Sequence, residues 1–230
     1  MRSIMESLFN VIYLITVTTL GIIMVTKSKN NQYFKLFGLM AIVLGFGDAF
    51  HLIPRTYALL TTGLENHPVS LGFGKFVTSI TMTIFYLILF RIWEIRFNIK
   101  NDINLRFTMF ILTTLRIALC IFPQNKWLTN NSPLSWGIYR NIPFAIMGII
   151  IIYLCYSYGA KYNDKDYKKL AIAVVLSFGF YIPVVLWSSV NKMIGMLMIP
   201  KTLAYVWVVL IGFKEFKKVY TPDKKVKNIS

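Results

Sequence analysis

Three ionisable residues one turn apart inside an apolar run are the first feature with chemical content. The stretch GFGDAFHLIPR, residues 45 to 55, spaces Asp48, His51 and Arg55 by three and four, which puts them on one face of a helix. A lone carboxylate in hydrocarbon is costly, so Asp48 must be protonated, paired with a cation or turned towards a wet cavity. Lys75, Arg116 and Lys201 also fall inside apolar runs, and Arg140 lies at the edge of another. Such side chains, with Tyr181 and Tyr205 as hydrogen-bonding neighbours, suit an anion: Arg55, Lys75, Arg116, Arg140 and Lys201 would hold it. Asp48 and His51 would set protonation, for transport coupling or for acid–base chemistry.

The elements that position these residues follow from composition. Of 230 residues, 56% are hydrophobic, and the mean hydropathy of +0.59 exceeds what a water-facing surface tolerates. A bilayer core is crossed by about 20 apolar residues. Windows of this kind lie at Leu8 to Thr26, Phe34 to Pro54, Leu71 to Ile92, Phe107 to Phe122, Ile142 to Gly159, Leu170 to Val190 and Met193 to Phe213. The fold class is therefore all-α, an integral membrane bundle of seven transmembrane helices over 1–213, followed by a basic tail at 214–230. The N-terminal run has one basic residue and no small-residue cleavage pattern, and reads as a retained span.

Orientation follows from the basic residues. Alternate loops hold Lys27, Lys29 and Lys35, then Arg91, Arg96, Lys100 and Arg106, then Lys161, Lys165, Lys168 and Lys169, then the tail lysines. The intervening loops hold only Arg2, Arg55, Lys126, Arg140 and Lys192. Retention of basic loops on the cytoplasmic side places the N-terminus outside and the C-terminus in the cytoplasm. Trp93, Trp127 and Trp136 fit interfacial belts, and RIWEIRFNIK at residues 91 to 100 reads as a basic amphipathic anchor.

Depth counted from the outer end of each span puts Asp48, Lys75, Arg116 and Lys201 in one layer, with Asp48 as the acid of that layer and Arg55 and Arg140 ringing its entrance. Thr78, Ser79, Ser188, Asn191 and Thr202 add hydrogen-bonding groups. One acid against several cations leaves a positive surplus, which an anionic small molecule or lipid head group would offset. Other readings stand beside this. Lys75 and Arg55 can snorkel to the interface, and a pair between Asp48 and Arg116 can serve helix packing in a structural or partner-binding subunit.

The GD dipeptide of GFGDAFHLIPR, the following span LGFGKFVTSITMTIFYLILF and the closing MIPKTLAYVWVVLIG together resemble the lysoplasmalogenase-like family of small polytopic membrane proteins. That resemblance implies hydrolysis of the vinyl-ether bond of lysoplasmalogens by intramembrane aspartates, with Asp48 as the first; His51, one turn away, could supply the second ionisable group that such chemistry needs. The sequence has Asn191 where the family has a second acid, and Thr83 where the family often has His before the residue matching Tyr86.

Several classes are excluded or left uncalled. The net charge of +16 sits in short clusters beside apolar runs, as expected of anchors to anionic lipid and not of a nucleic-acid surface. Cys120 and Cys155 lie in separate apolar runs, and His51, His67 and Asp48 do not make a zinc site, so no metal and no cofactor are inferred. Membrane lipids are the expected partners. Richness in Lys, Ile and Asn is the composition of AT-rich bacterial genomes, which suggests a bacterial cytoplasmic membrane.

Overall fold

A computed structural model describes residues 2–100, 102–187 and 190–220. Seven helices run in sequence: α1 (Arg2–Lys27), α2 (Gln32–Leu60), α3 (Pro68–Arg96), α4 (Ile103–Ile121), α5 (Leu134–Lys161), α6 (Lys165–Trp187) and α7 (Met198–Tyr220). All seven are long and apolar enough to cross a membrane, α7 together with the 3₁₀ turn that leads into it. No strand occurs among the described residues. The chain is a multi-pass membrane protein. Apolar segments in lipid become helices because only a helix satisfies every backbone polar group within one segment.

The helices extend well beyond the apolar windows. α2 continues through Pro54 to Leu60, α3 starts at Pro68 and reaches Arg96, and α5 begins at Leu134, so the segments 55–70 and 123–141 are largely helical and not long loops. Short 3₁₀ turns at Leu64–Asn66, Pro123–Asn125 and Lys192–Leu197 lie within the connections. Caps fix the starts: the Asn31 side chain accepts from the Tyr33 amide at 3.1 Å, Asp102 from that of Leu105 at 3.1 Å, and Asp164 from those of Asp166 and Tyr167. Lys27, Arg96, Lys161, Lys217 and Lys218 occupy last turns, where positive charge opposes the helix dipole.

Neighbours in sequence are neighbours in space. α1 packs on α2, α2 on α3, α5 on α6 and α6 on α7, while α4 joins α3 to α5 and α7 returns to α1 and α2. Small residues let the backbones close up, since packing and not hydrophobicity holds helices together in lipid. A Cβ on Gly38 would stand 2.7 Å from the Gly21 carbonyl oxygen, and one on Gly21 2.9 Å from that of Gly38, so α1 and α2 meet backbone to backbone. A Cβ on Gly74 of α3 would collide with the Phe50 carbonyl oxygen of α2.

The basic end of the bundle is closed by ion pairs. Arg96 of α3 donates to Asp164 at 2.7 Å and stands 3.4 Å from Glu215 of α7, whose carboxylate also accepts from the Tyr33 hydroxyl at 2.7 Å. Glu94, 3% exposed, is held by Arg91 at 2.7 Å and by Arg106 of α4. Two expectations change here. RIWEIRFNIK is not a surface anchor, because Arg91 to Arg96 complete α3 and point an acid into this network. Trp93 is not an interfacial residue: it is 1% exposed, with its ring edge-on to Tyr158 at 4.9 Å.

Candidate functional site

At the opposite end, where α1 begins, a cavity of about 90 Å³ lies between α1, α2, α3 and α7. Asp48, His51 and Arg55 all line it, as their shared face requires, together with Thr78, Lys201, Thr202 and Tyr205. α1 supplies Glu6, Phe9 and Asn10, and methionines at 82, 196 and 198 complete the wall.

The carboxylates are both engaged, by different means. Asp48 accepts a hydrogen bond of 2.6 Å from the Tyr13 hydroxyl of α1 and makes no ion pair among the described residues. Glu6 takes the Arg55 guanidinium at 2.6 Å. This corrects the sequence expectation in which Asp48 was the acid of the spans: α1 starts early enough to bring Glu6 to the cavity, and Glu94 and Glu215 sit inside α3 and α7 at the other end. Arg55 is therefore neutralised locally. His51 faces the cavity with its buried Nδ1 lacking any hydrogen-bond partner among the described residues.

Lys201 is 7% exposed and has no carboxylate at ion-pairing distance among the described residues. Its ammonium instead stands 4.2 Å from the centroid of the Tyr181 ring and 5.6 Å from that of Tyr205. Such cation–π contacts hold a partly desolvated cation without consuming its charge.

Arg116 and Arg140 belong to a second group, between α4 and α5. Arg116, 2% exposed, donates from Nη1 to the Arg140 carbonyl and to Asn141 Oδ1, both at 3.2 Å, and lies 3.7 Å from the Phe144 ring centroid. Its Nε is buried and unpartnered. The Tyr181 hydroxyl donates to the same Asn141 oxygen at 3.1 Å, so Tyr181 joins this group to Lys201. Arg140 does not ring an entrance. Its Nη1 donates to Asn125 Oδ1 at 2.7 Å and its guanidinium stacks 4.2 Å above Trp127, while Asn125 and Trp127 donate to the last carbonyls of α4. The group caps that helix end.

Lys75 is exposed and makes no ion pair among the described residues, which is the snorkelling arrangement. Ser79 turns its hydroxyl onto the Lys75 carbonyl, and Asn191 caps the 3₁₀ turn before α7. Ser188 lies outside the described residues. The three cations placed in one layer thus take three lateral positions: Lys201 lines the cavity, Arg116 lies behind Tyr181, and Lys75 is exposed and does not line the cavity.

Sequence reasoning placed the first span but missed what α1 brings to the cavity. Glu6, Asn10 and Tyr13 recur at spacings of four and three, the signature of a polar helix stripe, and that stripe was the available signal. Comparison with family models, with curated proteins and with solved structures finds no match.

Proposed function

We propose that the protein binds an anionic group, a phosphate or carboxylate of a small molecule or of a lipid head, in the cavity between α1, α2, α3 and α7. One observation carries this reading: Lys201 is a buried ammonium that lines the cavity and has no carboxylate at ion-pairing distance among the described residues. Glu6 and Arg55 cancel each other, and Asp48 is occupied by Tyr13. Lys201 together with Arg116, next to it across Tyr181, leaves one positive charge more than Asp48 supplies. A buried cation in this position is offset by an anion or by water. Thr202 offers a hydroxyl to the same ligand, and the basic loops at the other end support a cavity that opens outwards.

Native mass spectrometry of the gently purified protein, with inorganic phosphate or defined lipids added, tests the reading. An anionic adduct retained by the wild type and by Lys201→Arg but lost in Lys201→Met is expected. An adduct unchanged in a folded Lys201→Met protein excludes Lys201 as the anchor. Inorganic phosphate alone and intact lipid are separated by mass.

A second reading, lysoplasmalogen-type ether-lipid hydrolysis, is favoured by the unpartnered Nδ1 of His51 one turn from Asp48. Hydration of a vinyl ether protonates the outer alkene carbon, adds water at the carbon bearing oxygen, and collapses through a hemiacetal to an aldehyde and an alcohol. Asp48 and His51, facing one cavity, would be the proton donor and the group that activates water. Aldehyde released from a lysoplasmalogen by the wild type and not by a folded Asp48→Asn variant is the expected result. Binding of that lipid without aldehyde would leave the first reading and remove the second.

A further inference from the structure

A groove of about 160 Å³ runs between α5 and α6 at the same end of the bundle, and its lining is almost wholly apolar. Ile142, Ala145 and Phe178 form part of its walls, with Val185 and Leu186 towards the end of α6. The two helices are tight further along. A Cβ on Gly148 would collide with the Phe178 ring, and one on Gly159 would stand 3.0 Å from the Lys168 amide nitrogen. The groove lies where each carries an internal proline, Pro143 in α5 and Pro183 in α6. Neither proline can donate to the carbonyl four residues back, and each ring pushes against the preceding turn. A Cβ on Gly179, the residue four before Pro183, would meet nothing within 4 Å.

The groove and the polar cavity meet at one side-chain contact. Tyr181 lines the groove, Lys201 lines the cavity, and the Lys201 ammonium stands 4.2 Å from the Tyr181 ring centroid. Apolar volume against this ring, and a cation over it with no carboxylate at ion-pairing distance among the described residues, are the two halves of an amphiphile site. A groove that held only annular lipid would need no such cation behind it.

We infer that the ligand is a single-chain amphiphile with an anionic end, whose alkyl chain lies in the α5–α6 groove and whose charge reaches Lys201 across Tyr181. This rests on the anion-binding reading of the cavity and specifies the class of molecule that carries the anion. The polar end is held by Lys201. The chain is selected by the length of groove between the level of Ile138 and Leu186 and that of Ala145 and Phe178, and Tyr181 separates the two environments.

The test uses decyl phosphate carrying a diazirine at the far end of its chain, with the correspondingly labelled decanol as the uncharged control. After photolysis, crosslinked peptides are mapped in the full-length protein and in Lys201→Met, Ala145→Trp and Val185→Trp. The phosphate is expected to label residues 138–145 and 178–186. Labelling should fall at least roughly tenfold in Lys201→Met, the equivalent of one charge-assisted hydrogen bond. Either tryptophan, filling the groove from one wall, should give a similar loss. Decanol should spread over the lipid-facing helices. Groove labelling that is equal for both probes, or unaltered in Lys201→Met, overturns the inference. Retention of inorganic phosphate, measured in parallel by native mass spectrometry, separates the two ideas. If it persists in the wild type while the groove stays unlabelled, the chain seat is wrong and the anion site stands. If neither is seen, both fail.

Discussion

The contact between Tyr13 and Asp48 concentrates the energetics of the cavity in one hydrogen bond of 2.6 Å. Tyr13→Phe would leave a buried carboxyl without its donor, which costs about 1–3 kcal/mol. Asp48→Asn keeps an acceptor for the Tyr13 hydroxyl and should cost less. Combining Tyr13→Phe with Asp48→Ala should then be less damaging than the sum of the two singles, with a coupling of at least about 1 kcal/mol by denaturation in mixed detergent. Strict additivity would mean that water or a ligand, and not Tyr13, satisfies Asp48. Arg116 offers a second check. It relies on a planar group stacked on Phe144 while donating to two oxygens, a geometry that an ammonium cannot reproduce. Arg116→Lys is expected to destabilise the fold by about 1–2 kcal/mol. A fully stable lysine variant would show that charge alone suffices there.

Among the helices, the closest approaches predict which substitutions matter. Gly74→Ala would drive a methyl into the Phe50 carbonyl of α2 and force α2 and α3 apart, so a loss of about 2 kcal/mol or more is expected. Gly179→Ala meets open space and replaces a poor helix former, so it should be neutral or stabilising by up to about 1 kcal/mol. Thermal unfolding of the two variants side by side checks the contrast, and equal effects would refute the packing. The helices themselves were legible because hydropathy over a bilayer-length window is a strong signal. Their ends were not, because Glu6, Arg55 and Glu94 lower local hydropathy without breaking a helix. Relative depth along a helix can be counted from sequence, since rise per residue is fixed. Lateral position cannot: equal depth does not tell Lys201, which lines the cavity, from Lys75, which is exposed and does not, without knowing which helices adjoin. Tyr13 was missed because a tyrosine in an apolar run reads as packing until the partner across the helix interface is known.

Viewed whole, the molecule has two ends built on different electrostatic plans. At the basic end Arg96, Asp164 and Glu215, and Arg91, Glu94 and Arg106, satisfy one another across α3, α4, α7 and the turn before α6, which suits a closed structural seal. At the other end Lys201 and Arg116 have aromatic rings and amide or carbonyl oxygens in place of acids. Arg96→Met should therefore lower stability while leaving ligand retention by the folded fraction unchanged, whereas Lys201→Met should do the reverse. The same asymmetry predicts orientation. All the dense lysine and arginine clusters lie at the sealed end, and basic residues in short loops are retained in the cytoplasm. The cavity end, where Ser3 and Glu6 begin α1, should then face outwards. Both native cysteines are buried, so an introduced thiol can be followed against a low background. Ser3→Cys should react with a membrane-impermeant maleimide in intact cells, and Lys217→Cys only after lysis. The opposite labelling pattern would turn the cavity towards the cytoplasm, where Lys201 would meet cytosolic anions and inner-leaflet lipids. The anion site would survive that result, but the source of its ligand would change, because the membrane face that the cavity opens on decides which amphiphiles can reach Tyr181.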